Sequence, residues 1–96
     1  MTSGVYRFLL KPDVPVAEAE MSLQLAILAA EGLFGEARVR MDAAYVVDET
    51  IGVIVVDAST AVGQAINRIF TSFITREFGP DAFDVRRVEL IGRVSR

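Results

Sequence analysis

Residues 4–11 alternate in the period-two manner of a β-strand, in which successive side chains point to opposite faces. The two predicted faces are Tyr6, Phe8 and Leu10 on one side and Val5, Arg7 and Leu9 on the other. Prolines at positions 12 and 15 interrupt this alternation. Apolar residues then recur with a helical period over Val16–Phe34, and Gly35 supplies a C-terminal stop.

The second half of the chain repeats this kind of pattern, with turn residues between the periodic segments. The predicted elements are a strand over Glu36–Asp48, a strand over Ile51–Asp57, a helix capped by Ser59 or Thr60 and ending at Phe78, and a strand over Phe83–Ile91. Gly79 and Pro80 end the second helix firmly. The predicted order is therefore strand, helix, strand, strand, helix, strand.

The two halves resemble each other at the ends of their helices. Phe34 and Phe78 are 44 residues apart, and each directly precedes a glycine. A duplicated strand–helix–strand unit is typical of the ferredoxin-like fold. We therefore predict one α+β domain over residues 1–96, a βαββαβ sandwich with a four-stranded antiparallel sheet and two helices on one face.

The first predicted helix is apolar on both sides. Its core stripe is Val16, Ala19, Leu23, Ile27, Ala30 and Phe34. Met21, Leu25 and Leu28 lie nearly opposite, which a helix with one buried face does not require. Two explanations are open: the C-terminal tail or a loop folds over Leu25 and Leu28, or another subunit covers them. We favour the subunit, because contiguous exposed apolar patches usually mark interfaces.

A second candidate interface is the face of the sheet that carries Val5, Arg7 and Leu9. The neighbouring strand, residues 51–56, is apolar whichever way it faces. This face could pack on a twin sheet or bind a flat ligand. It offers no pair of aromatic side chains for stacking bases, which argues against a typical RNA-recognition surface.

Composition narrows the function classes further. The chain has 96 residues, enough for one domain, and 52% of them are apolar, which excludes a disordered chain. It contains neither Cys nor His, so thiolate and redox chemistry are excluded and the commonest proton-transfer residue and metal ligand is missing. We therefore expect no enzyme activity, no cofactor and no bound metal.

The expected location is the cytoplasm. The longest apolar runs, residues 25–30 and 51–56, are far shorter than the ~18 residues that suggest a membrane span. The first eleven residues also lack the basic and apolar regions of a signal peptide. We expect a soluble protein without a membrane partner.

Charge is distributed unevenly along the chain. The net charge is −3, but residues 1–60 hold nine acids and four bases, whereas residues 61–96 hold four acids and six bases. The candidate contacts for an anion or RNA are Arg38, Arg40, Arg86, Arg87, Arg93 and Arg96. We favour the simpler interpretation, an ordinary charged surface, and the acidic balance argues against a general phosphate binder.

Four carboxylates near the second hairpin are the other chemical candidates, namely Asp42, Asp48, Glu49 and Asp57. Carboxylates can hold magnesium or act as a general acid and base. Asp48 and Glu49, however, occupy positions where a turn favours polar residues, so we interpret the group as structural.

Several segments resemble the small protein subunit of archaeal and eukaryal ribonuclease P, the Pop-five family. They are the opening strand at Tyr6-Arg7-Phe8-Leu9, the helix end at Leu33-Phe34-Gly35-Glu36-Ala37, the hairpin over residues 47–55, and the following helix with Ala65, Ile66 and Ile69. The resemblance covers about half the chain. It implies a ferredoxin-like, non-catalytic subunit that supports tRNA 5′-end processing. Family members are typically basic and end in a basic tail, whereas this chain is acidic and only hints at such a tail.

We conclude that the sequence favours a non-catalytic domain that works by association, as a homo-oligomer or as a subunit bound to a protein partner. The interface candidates are Met21, Leu25, Leu28, Val5, Arg7 and Leu9. The alternatives are a ribonuclease P-like accessory subunit, a regulatory domain that senses a small ligand, and, last, a small enzyme of the dimeric α/β-barrel kind.

Overall fold

A computed structural model of the chain describes residues 4–88. Its elements are β1 (Val5–Leu10), α1 (Val16–Phe34), α2 (Glu36–Asp42), β2 (Tyr45–Asp48), β3 (Val53–Asp57), α3 (Ala61–Phe78) and β4 (Phe83–Val88). The strands form one antiparallel sheet in the order β2-β3-β1-β4. This order, with the helices in between, confirms the predicted ferredoxin-like α+β fold. The predicted last strand is described as far as Val88.

The core lies between one face of the sheet and the helices. β1 contributes Phe8 and Leu10 to it, as the alternation predicts, and β3 contributes Ile54 and Val56. The Phe8 and Phe70 rings meet edge to face, with their centroids 4.9 Å apart. Such a pair adds to the stabilisation that comes from burial alone. The core therefore joins the central strand β1 directly to α3.

The prediction of a strand over Glu36–Asp48 is wrong in its first half, where the chain forms the short helix α2. Within α2, Arg40 pairs with Glu36 at 3.0 Å and Arg38 with Asp42 at 3.7 Å, both at the i,i+4 spacing that supports a helix. Val39 is buried, whereas Met41 is exposed. The alternation of apolar and charged residues therefore belongs to a short helix in which one residue, Val39, points into the core.

The two long helices end in the same way, as the repeated sequence predicts. Gly35 has φ 88° and ψ 151°, and Gly79 has φ 94° and ψ 156°. Each glycine donates its backbone N–H to the carbonyl four residues earlier, on Glu31 and Thr75 respectively. A positive φ of this size favours glycine, which explains why the stop recurs at both helix ends.

The second long helix also begins as predicted. The Thr60 hydroxyl oxygen accepts a hydrogen bond from the Gly63 backbone N–H at 3.0 Å, so of the two predicted capping residues Thr60 performs the role. None of the helices within residues 4–88 is long and apolar enough to cross a membrane.

Candidate interaction surface on helix α1

Helix α1 carries an apolar stripe that faces away from the core. Its central residues are exposed: Met21 by 66%, Leu25 by 56% and Leu28 by 60%. Ala17 and Gly32, also exposed, extend it by one turn at each end. We call these five residues the outer stripe. Successive members from Met21 to Gly32 are four, three and four positions apart, which is the spacing of a coiled-coil seam.

The opposite side of α1 packs against the core. Its buried residues are Ala19, Ser22, Leu23, Ala26 and Ala30. Helix α3 differs, because its outward positions are mostly polar: Gln64, Arg68, Thr71, Ser72 and Thr75. One helix of the layer therefore has a polar outer face, as a solvated helix should, and the other does not.

A groove runs between the first half of α1 and the last turns of α3. It comprises two adjoining hollows of about 250 and 400 Å³, both lined by Ser22, Leu25 and Glu77. Phe73 and Arg76 complete the first hollow, and Glu18 and Met21 complete the second. The groove thus continues the outer stripe sideways towards α3, with Leu25 at their junction.

A hydrogen bond between the two helices fixes one wall of the groove. The Ser22 hydroxyl donates to Oε1 of Glu77 at 2.7 Å. Ser22 is buried, whereas Glu77 is exposed, so the bond holds a surface carboxylate at the rim. The sequence signal was a serine on the buried side of an apolar helix, but its partner, 55 positions later, could not be predicted from α1 alone.

Acidic residues dominate the surroundings of the outer stripe. Glu18 and Glu77 line the groove on one side, with Arg76 as the base next to them. On the other side of the helix, Glu20 and Glu31 flank the stripe by helical spacing. Helix α1 contains no Lys or Arg. Among the described residues, Glu18, Glu20, Glu31 and Glu77 therefore line or flank this apolar surface together with the Arg76 guanidinium.

The other predicted interface residues, Val5, Arg7 and Leu9, lie on the sheet face that points away from the helices. Leu9 is 40% exposed, and the other two are partly buried. The strand register places Arg7 directly between Val55 of β3 and Arg86 of β4. Two arginines thus lie side by side on a face that the same register also gives three carboxylates, those of Asp48, Asp57 and Asp84.

The candidate anion-binding arginines are spread over three surfaces. Arg38 and Arg40 are on α2, where each pairs with an acid and Arg38 also lies 4.9 Å above the centre of the Phe34 ring. Arg86 faces away from the helices, whereas Arg87, the partner of Tyr6 in the sheet, is on the opposite face of β4. Arg93 and Arg96 lie outside the described residues.

Two of the four candidate carboxylates shape turns. Oδ1 of Asp48 accepts a hydrogen bond from the Thr50 backbone N–H at 3.0 Å, and Oδ1 of Asp57 accepts one from Ser59 at 2.9 Å. These local bonds are the reason that Asp is favoured in turns. Within residues 4–88, no three potential metal ligands of the Asp, Glu, His or Cys type come together.

Comparison with protein-family models, curated proteins and solved structures finds no match to this chain. The resemblance to the small ribonuclease P subunit therefore stays a prediction.

Proposed function

We propose that this chain is a non-catalytic association domain, which acts as a homo-oligomer or as a subunit of a larger assembly through the outer stripe of α1 and the open face of the sheet. The observation that carries the proposal is the exposure of Met21, Leu25 and Leu28 on a helix whose other side is already buried.

The free energy available from burying the outer stripe supports this function. Burying a Leu or Met side chain completely contributes about 1.5–3 kcal/mol. Leu25 and Leu28 keep more than half of that surface exposed, so a partner that covers both gains a substantial part of it. A solvated helix has no need of this arrangement, and contiguous patches of this kind usually mark interaction sites.

A second candidate function uses the open face of the sheet. Arg7 and Arg86 are direct cross-strand neighbours, and neither forms an ion pair with any residue between 4 and 88. Like charges placed opposite each other are unfavourable, and an anion between them would relieve the repulsion. This observation favours the alternatives of a small anionic ligand or an RNA contact, the latter as in a ribonuclease P-like subunit.

The proposal is tested by light scattering over a protein concentration series, with nucleic-acid absorbance recorded on the same peak. We expect concentration-dependent association of the wild type at raised salt, where the acidic surroundings of the stripe are screened. Leu25→Glu should shift it to monomer, because it places a charge at the centre of the stripe. Ser72→Glu is the matched control, since it adds the same charge to the exposed outer face of α3. We expect no effect from this control.

Circular dichroism of both variants establishes that they remain folded. An assembly that survives Leu25→Glu would contradict the role of α1 in self-association. A peak that carries nucleic acid would instead support the second candidate function.

A further inference from the structure

We infer that the outer stripe binds an amphipathic helix of another protein, whose apolar seam is flanked by Lys and Arg. This inference rests on the proposed function and specifies its partner. It follows from the spacing of the stripe, the groove beside it and the charges around both.

The shape of the surface fits a helix. The spacing of four, three and four residues from Met21 to Gly32 is the spacing at which two helices keep a common seam. Gly32 and Ala17 are small, so a second helix can approach closely at both ends of the stripe. The hollows beside Leu25 can receive side chains from the arriving seam. Helix-in-groove recognition uses these features.

The charges around the stripe select the kind of helix. Glu18, Glu20, Glu31 and Glu77 surround it, and Arg76 is the base beside the groove. Complementary charges at the rim of an interface suppress wrong partners and speed up association. A helix with basic flanks would therefore bind both more selectively and faster than a helix with neutral or acidic flanks.

The same charges disfavour the other occupants. In a second copy, two α1 helices without any Lys or Arg would meet with acidic rims, and Arg76 of α3 is outnumbered by the glutamates around each stripe. An anionic membrane surface would be repelled for the same reason. The outer stripe can attract any of these apolar surfaces, and the charges of the surrounding glutamates discriminate among them.

The experiment uses two synthetic peptides of about 20 residues, long enough to form a helix on binding. Both carry the same Leu and Ala seam; one has Lys at the flanking positions and the other has Glu. Fluorescence anisotropy measures their binding to the full chain. We expect the Lys peptide to bind at least about tenfold more tightly than the Glu peptide. Its affinity should fall when salt is raised from about 50 to 300 mM, because rim charges are screened.

Three variants locate the site. Leu25→Glu should weaken the Lys peptide about tenfold or more, since it disrupts the centre of an apolar contact. The control Ser72→Glu should leave its affinity unchanged. The double variant Glu18→Lys with Glu31→Lys should remove the preference between the two peptides or reverse it, without changing the seam.

The outcomes separate the inference from the proposed function. Equal binding of both peptides, or Lys-peptide binding that is insensitive to Leu25→Glu, overturns the inference. A stable dimer at low salt that is sensitive to Leu25→Glu and excludes both peptides also overturns it, but leaves the proposed function standing. No self-association through α1 and no binding of either peptide would contradict both.

Discussion

At the scale of single residues, Gly63 is the glycine within residues 4–88 at which an added Cβ atom would meet the most severe clash. It lies in the first turn of α3, and a Cβ atom there would overlap the backbone carbonyl oxygen of Asp57. The overlap is with backbone, so a flexible side chain cannot move aside to relieve it. The absence of a side chain at 63 is what lets α3 start so close to the end of β3.

We therefore expect Gly63→Ala to lower the free energy of unfolding by about 1–3 kcal/mol, the usual cost of overpacking, although alanine is the better helix former. The matched control is Gly32→Ala on α1, where an added Cβ would meet nothing within 4 Å. We expect this control to raise stability by about 0.5–1 kcal/mol. Urea denaturation of both variants provides the measurement, and equal effects would contradict the role of the close approach.

At the scale of elements, α1 combines a structural and a functional face, and two leucines separate them. Leu23 is fully buried, whereas Leu25, two residues later, is 56% exposed. We expect Leu23→Ala to destabilise the fold by about 2–5 kcal/mol, as removal of buried methyl groups does. Leu25→Ala should change stability by less than about 0.5 kcal/mol, as at other surface sites.

The measurement is thermal and urea unfolding at a concentration where the wild type is monomeric, because association would itself stabilise the native state. A large loss for Leu25→Ala under these conditions would show that the outer stripe supports the fold rather than an interface.

The same two-sided helix shows how far the sequence alone could lead. The bounds of α1 were predicted correctly, because prolines precede it and Gly35 ends it. The position of Met21, Leu25 and Leu28 opposite the core stripe also followed from helical spacing, whereas their exposure depends on what packs over them. These features are local, so the helical period of the apolar residues and the helix-breaking Pro and Gly residues determine them.

Features that depend on contacts between elements could not be predicted in this way. Charged and apolar side chains alternate over the seven residues of α2, so such a short segment fits the period of a strand as well as that of a helix. The opposite charges at i,i+4 spacing, Glu36–Arg40 and Arg38–Asp42, are the signal that distinguishes the helix. The groove requires the approach of α3 to α1. Glu77 therefore entered the candidate surface only with the structure.

At the scale of the whole molecule, the net charge of −3 and the acidic rim act in the same direction. Two copies that meet through α1 repel each other, and salt screens this repulsion over a Debye length of about 8 Å at physiological ionic strength. We expect self-association of the wild type to increase with salt, opposite to the binding of a basic helix. Sedimentation at low and high salt measures it, with Leu25→Glu as the control that should remain monomeric at both.

The order of the strands has a consequence for the synthesis of the chain on the ribosome. β1 emerges first, yet its neighbours in the sheet are β3, which starts at Val53, and β4, which ends at Val88. Helix α1 is made long before the sheet that covers its inner face can close. Contacts between distant parts of a chain form slowly. During elongation both apolar sides of α1 are therefore uncovered. A nascent-chain chaperone or a partner protein could bind this helix before the sheet packs against its inner face.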